Sequence, residues 1–585
     1  MKRQGQGVTV IDITRGDKFM NNGSRSVRTR FALRGVTAAL ALAWVGGASA
    51  FEVETGNPDV KMRWDNTIRY TAGVRVEDQD KKLMRNPVYD EGDSKFDRGD
   101  IVTNRLDLLS EFDVSYRGKI GARVTGAAWY DHAYDDHSVT APTGTATAYR
   151  NDKYNGTVKR YVNGPSGEIL DAFVWTNLDL GKVPLNLKVG RQTNVWGEGL
   201  LIGAHAISYG QSPVDGVKAV TNPGIETKEV FLPIGQVHAS AQLTDSVTVV
   251  GQYFYDWEPT RVPHAGTYLM GADTAPSSDN LSFGVGQLKA SIIDAKEPSK
   301  RGNWGVGARW NVEAIESTFG AYYRKFDDYA PELGVQLSDF VRLGPAVLPS
   351  KARFLYPEDI EQYSVSFSRV IGGVSVGTEL SYRKNGPLNT PASHTLDSGS
   401  RGDTWHAVVN GVYLLPQTPM WDTGTLIAEV AYNRLDRVTE NEHLYRKVGA
   451  ASCVNSAIGR PRTGTKRDGC STVDALQLAV RFSPQYLNIF PSWDLAVPVS
   501  INYGLSGNAP SSGGGTEGEL RWSIGTTWTY ASKYEFALNY SDRSLPVRKG
   551  VVRGEERITG GAAHSNSSVG VIDRGWLSFT FKTAF

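Results

Sequence analysis

The chain has 585 residues and carries 63 lysines and arginines against 62 aspartates and glutamates, a net charge of +1. That balance leaves no global field to attract nucleic acid. Mean hydropathy is slightly negative, and after residue 50 no apolar run reaches the about 18 residues of a transmembrane helix. A helical membrane protein is therefore excluded.

The first recognisable element is a targeting segment. "RSVRTRFALRGVTAALALAWVGGASA" places arginines at 25, 28, 30 and 34, an apolar stretch from Val36 to Val45, and small residues ending Ala48-Ser49-Ala50. These are the parts of a secretory signal peptide over 1–50, with cleavage expected after Ala50. The residues before it make the signal long, and Met20 is an alternative start. The other reading, an uncleaved anchor helix, suffers from the shortness of the apolar stretch. The mature domain, 51–585, then begins at Phe51.

Next comes "VKMRWDNTIRYTAGVRV", Val60 to Val76. Its even positions are apolar or aromatic apart from Asn66, and its odd positions are polar and largely cationic, so the period is 2 and the element is a strand. Its length far exceeds the about 5–6 residues usual in soluble sheets. A strand this long fits an oblique crossing of a bilayer, even residues facing lipid and odd residues lining an interior.

The alternation repeats along the chain. Trp304, Val306, Ala308 and Trp310 alternate with Gly305, Gly307 and Arg309; Leu476, Leu478, Val480 and Phe482 alternate with Gln477, Ala479 and Arg481. We expect eighteen strands, with sixteen as the alternative count, beginning near 59, 99, 119, 168, 183, 234, 246, 303, 315, 360, 373, 403, 423, 472, 492, 518, 533 and 573. Short turns (116–119, 180–182, 243–246, 312–314, 371–373, 531–533) alternate with long segments such as 132–165, 196–233 and 258–302. A soluble barrel buries its apolar face, whereas a membrane barrel turns it to lipid, gathers aromatics at strand ends and alternates short periplasmic turns with long external loops. The expected fold is thus all-β: a transmembrane antiparallel β-barrel with both termini in the periplasm. The chain ends "WLSFTFKTAF", an amphipathic strand with terminal Phe585, which looks like the signal read by the outer-membrane assembly machinery.

Within the walk, "WYDHAYDDH" (129–137) is the one His/Asp cluster. It would suit a metal or a His–Asp hydrolytic pair through His132 and His137, or it is solvated loop charge; no nucleophile-elbow motif accompanies it. Cys453 and Cys470 share a polar segment and suggest a disulfide closing a small loop, worth roughly 3 kcal/mol on loop entropy.

From residue 187 the sequence runs "LKVGRQTNVWGEGLLIGAHAISYGQSPVDGVKAVTNPGIETKEVFLP", and "GQYFYDWEPTRVPHAGTYL" follows at 251–269. The features Gly190-Arg191-Gln192, Trp196-Gly197-Glu198, Pro213-Val214-Asp215, Pro223-Gly224-Ile225-Glu226 and Lys228-Glu229 resemble the outer-membrane family catalogued as domain of unknown function 1302. Ser212 departs from the Asn often found before Pro-Val-Asp. The resemblance implies a proteobacterial outer-membrane barrel, often encoded beside hydrophobic-compound exporters of the RND class and a periplasmic partner, and it supplies no catalytic residues.

Segment 196–233 is too long for a hairpin loop and mixes apolar residues (Leu200, Leu201, Ile202, Ile207, Val214, Val217, Val220, Ile225) with turn formers. We expect it to fold into the lumen as a constriction or plug, or over it as a cap. The residues expected to fix it are Arg191, Trp196, Glu198, Pro213, Asp215, Glu226 and Lys228. The first strand and the last present Lys61, Arg63, Arg69, Arg75 and Lys582 as a lumenal basic stripe, which either attracts anionic heads or pairs with Asp107, Glu111 and Asp113 of the second strand.

The functional expectation is an outer-membrane channel for hydrophobic or amphipathic, anionic small molecules, working with an RND-type exporter. The alternatives are a general aqueous porin and, behind it, a rim hydrolase. Expected partners are outer-membrane lipid and lipopolysaccharide, the assembly machinery, an exporter or periplasmic partner and a small amphipathic ligand; no cofactor, metal or catalytic residue is expected.

Overall fold

A computed structural model describes residues 51–222, 225, 227–455, 462–511, 513–552, 554–561 and 569–585. The expected signal peptide, 1–50, and Glu226 lie outside the described residues.

Eighteen long strands form the wall: β1 (Val60–Arg75), β2 (Ile101–Tyr116), β3 (Ile120–Asp131), β4 (Ser166–Leu180), β5 (Val183–Gln192), β6 (Ile234–Gln242), β7 (Val247–Phe254), β8 (Trp304–Val312) and β9 (Ser317–Phe326) come first. They are followed by β10 (Ile360–Ile371), β11 (Val374–Pro387), β12 (Arg401–Leu414), β13 (Thr423–Glu440), β14 (Asp474–Phe490), β15 (Trp493–Ala496 and Val499–Ser506), β16 (Leu520–Tyr530), β17 (Tyr534–Ser544) and β18 (Trp576–Ala584). Each begins within three residues of its expected position, β18 differing most, at Trp576 rather than 573. The break in β15 falls at Val497-Pro498, where proline offers no N–H to the ladder.

Every strand pairs antiparallel with its neighbours, and the sheet closes through β1 and β18, from Thr67 opposite Ala584 to Arg75 opposite Trp576. Closure leaves no edge strand, the condition for a sheet to sit in lipid. The end of β18 is tied to β1 by two further bonds, Phe585 N–H to Asn66 O and Asn66 N–H to Phe585 O, both 2.8 Å.

The outward faces carry two aromatic girdles, as the interfaces of a bilayer require. One, at the end of the long connections, contains Trp304–Tyr323, Tyr323–Tyr363 and Tyr382–Trp405, with centroids 5.2, 5.0 and 4.6 Å apart. The other, at the short turns, includes Trp310–Phe319 and Trp493–Tyr530, at 6.1 and 5.0 Å.

The long connections are structured. Loops 76–100, 132–165 and 255–303 meet in a buried cluster of Phe96, Tyr134, Tyr149, Tyr154 and Tyr268 over Trp576 of β18. Cys453 and Cys470 form a disulfide across 17 residues within the loop after β13.

Candidate functional site: a lumenal plug and the cavity beside it

The chain between β5 and β6 has little secondary structure, so its backbone groups need partners from elsewhere. Side chains on the lumenal faces of the strands supply them. Glu379 of β11 and Glu429 of β13 are 4% and 0% exposed. Glu379 accepts the N–H groups of Glu198, Gly199 (2.8 Å) and Ile207 (2.7 Å). Glu429 accepts those of Leu200 (2.6 Å), Leu201 (2.9 Å) and Ile202. Guanidinium groups take the carbonyls: Arg383 donates to Ala204 and Ala206 at 2.8 and 2.9 Å, and Arg324 to Tyr209 and Gly210 at 2.6 and 2.5 Å. Charge-assisted bonds of this kind are the strong class, and together they hold an irregular segment against β9, β11 and β13. Gly197 sits at φ +97°, and a Cβ there would collide with the Glu379 carboxylate. The backbone can approach that closely only without a side chain.

The tip is fastened by a histidine pair. His205 Nδ1 lies 2.9 Å from His406 Nδ1 of β12, and its Nε2 lies 3.0 Å from Gly514 O. The carbonyl can only accept, so His205 donates from Nε2 and accepts at Nδ1 from His406. Burial lowers the His205 pKa from 6.5 to about 4, with the Arg383 charge adding to the effect.

The second half of the segment crosses to the other wall. Asp215 caps the short helix α1 (Gly216–Thr221) through Lys218 N–H at 2.9 Å and pairs with Arg261 at 3.0 Å. Lys218 reaches Glu168 of β4 at 2.9 Å. In α2 (Thr227–Val230), Lys228 meets Glu111 of β2 at 2.6 Å and Glu229 binds Arg69 of β1 at 2.5 and 3.1 Å. The segment therefore spans the interior from β9–β13 to β1–β4.

Several expected residues sit differently from their anticipated roles. Arg191 points outward at the rim of β5 and holds Glu258 (2.6 Å) of the next loop, not the plug, because its partner Ala172 in the ladder is on the lipid face. The Glu198 side chain makes no ion pair among the described residues; its backbone is what Glu379 and Asn410 bind. Trp196 stacks on Tyr322 with centroids 5.6 Å apart, and Pro213 contributes its carbonyl to Leu232 N–H at 2.9 Å. The basic stripe is not one surface. Arg69 is used by Glu229, Arg75 by Asp93 at 2.9 Å and Asp573 at 3.4 Å, and Arg63 by Asp65 at 2.6 Å. Lys61 is exposed, and Lys582 stands opposite Arg69 in the ladder. In the 129–137 cluster His132 pairs with Asp135, and His137 Nε2 lies 3.0 Å from Asn163 Oδ1. These contacts hold the loop.

The plug leaves part of the lumen open. A cavity of about 410 Å³ lies beside it, against β14–β18. One side is apolar, made by Leu201 and Val220 of the plug with Leu269 and Val571 of external loops. The other side carries Arg481, Arg521 and Arg543. Glu519 binds Arg521 at 2.7 Å and approaches Arg543 at 3.8 Å, while Arg481 is exposed to the lumen and has no carboxylate partner among the described residues. Sequence reasoning placed Arg481 on a polar face but did not single out these arginines. Their only local signal is that parity, and which polar faces remain open depends on the path of the plug.

A closed eighteen-strand barrel with a lipid-facing band, aromatic girdles and a partly filled lumen is an outer-membrane barrel of the channel type. The chain belongs to DUF1302, a family described as a protein of unknown function, whose model matches residues 31–585. No curated protein matches it in sequence. Among solved structures it is similar to the outer membrane channel DcaP of Acinetobacter baumannii (11% identity, TM-score 0.34, covering 92% of this chain and 100% of that one). It is also similar to OccK1 of Pseudomonas aeruginosa (9%, 0.38, 90% and 98%) and a BenF-like porin of Pseudomonas fluorescens (12%, 0.39, 90% and 98%).

Proposed function

We propose that the protein is a gated outer-membrane channel for amphipathic anionic small molecules, with 196–233 as the gate. The observation that supports this best is the cavity beside the plug, which sets Arg481, Arg521 and Arg543 opposite Leu201, Val220, Leu269 and Val571. A cationic wall facing an apolar one matches a molecule with an acidic head and a hydrocarbon or aromatic body. Between its two ends the plug is attached by hydrogen bonds and ion pairs, and the one disulfide among the described residues, Cys453–Cys470, lies outside it, which suits an element that moves as a unit. An exporter of the RND class, implied by the family resemblance, would act at the periplasmic mouth, and residues 1–50 would direct export as a signal peptide.

The test is single-channel conductance of the refolded mature protein in a planar bilayer, beside a variant lacking residues 200–225. The expected result is a closed wild type and an open variant that prefers anions, the preference disappearing when Arg481, Arg521 and Arg543 are replaced by Gln. A wild type already open in large, steady steps would overturn the gate and leave a general porin.

A further inference from the structure

The wall of the barrel has a step where β4 outruns β5. The β4–β5 ladder ends upward at Ala172 opposite Arg191, yet β4 continues to Ser166, paired on its other side with β3 as far as Trp129. The β5-facing edge of Ser166–Asp171, six residues, has no strand partner among the described residues, a step of about 20 Å at about 3.3 Å per residue. A cavity of about 900 Å³ occupies this step. It is lined by Ile169, which faces lipid and is 54% exposed, and by Glu168, whose carboxylate points inward to the plug. The cavity thus reaches the wall from the loops above it as far as the Glu168 carboxylate that the plug's Lys218 holds.

What stands in the step is a charge cluster. Arg261 binds Glu168 of the wall at 2.6 Å and Asp215 of the plug at 3.0 Å, and Lys218 of the plug binds the same Glu168 at 2.9 Å. Two of the four members therefore leave when the plug moves, and the wall and loop residues lose those partners together. Around the cluster the lining is amphipathic: Ile169, Val262 and Ile293 on one part, and on another exposed Arg160, with no carboxylate within ion-pair distance among the described residues, beside Glu258, Asp279, Asp294 and Glu297.

We propose that the step between β4 and β5 is a lateral portal. Through it a single-chain amphiphile with an anionic head passes between the outer leaflet and the lumen, and Glu168, Arg261, Asp215 and Lys218 form the latch. This rests on the channel reading above and names its route and ligand class. A molecule that partitions into lipid gains from such a route, since an axial pore would return it to water.

The test uses a dodecanoic acid carrying an ω-diazirine, dissolved in the bilayer around the reconstituted full-length mature protein. Ile169→Cys and Val262→Cys are introduced across the step and joined by a bis-maleimide; the native cysteines are bonded to each other and do not react. The unjoined double variant is its own folded control. Photolabelling is expected at Leu201 and Val220 inside the lumen, and joining the step should abolish it. Labelling of the plug that persists after joining would mean axial entry and would overturn the portal, leaving the channel reading intact. No labelling of the plug before joining would overturn it equally. Failure of the channel reading itself would register separately, as steady open conductance of the wild type.

Discussion

Glu429, with Glu379, is one of the two carboxylates that hold the plug's backbone N–H groups. Its carboxylate accepts three backbone N–H groups of the plug, Leu200, Leu201 and Ile202, and the amide of Asn410 at 3.2 Å. Glu429→Gln keeps the shape and removes the charge. Whichever way the new amide lies, its NH2 faces two donors, Leu200 N–H and Asn410 on one side or Leu201 and Ile202 N–H on the other, so at least one plug bond is lost outright and the remaining ones become neutral. A bond to a charged group contributes about 1.5–3 kcal/mol and a neutral one about 0.5–1.5. The total loss is about 4 kcal/mol of docking, which shifts the docked-to-released ratio on the order of 1,000-fold. The barrel ladder through Glu429 uses backbone groups and is unaffected. Single-channel recording should therefore show brief openings that the wild type lacks, while heat-resistant migration of the folded barrel in gel electrophoresis is unchanged. Identical gating in E429Q and wild type would refute the claim that carboxylate–backbone bonds hold the plug.

Two further perturbations bear on the same architecture. Acid should release the plug: His205 titrates near 6.5 when exposed and near 4 when docked. Between those values the released state binds a proton the docked state does not, so docking weakens as pH falls, by about 1.4 kcal/mol per pH unit. Conductance should rise from pH 6.5 toward 4, and His205→Asn should flatten that dependence; an unchanged slope would remove the histidine from the account. Arg69→Met leaves Glu229 buried without its bidentate partner, since the two side chains are 2% and 9% exposed. Breaking a buried pair this way costs about 3–5 kcal/mol. Limited proteolysis should then cut within 223–233 while the barrel stays folded, and wild-type resistance there would show the pair to be dispensable.

Much of the wall was legible locally. Period-2 alternation needs only neighbouring residues, so strand existence, the face each side chain takes, and the alternation of short turns with long connections follow from the chain itself. Glu111 and Asp113 were readable as facing the first strand's cations, and register places Asp113 opposite Arg63. Yet Asp113 binds Arg123 at 2.7 Å, Glu111 binds Lys228, and Arg63 turns to Asp65. A ladder position offers several partners at similar range, and side-chain reach decides among them. Segment 196–233 was legible as an apolar stretch needing something to pack on, but Glu379 and Glu429, which bind its backbone, carried no sign of that contact beyond lumenal parity.

The sequence by itself determined a membrane-crossing barrel, because the solvent on each face of a strand is written into every second residue. Tertiary structure alone decided which lumenal charges are spent and which stay open. Arg69 and Glu229 are 160 positions apart, and Arg481, Arg521 and Arg543 face a cavity only because the plug crosses to the far wall. Such contacts depend on closure of the sheet and on the path of one irregular segment through it, and neither leaves a periodic trace in the chain.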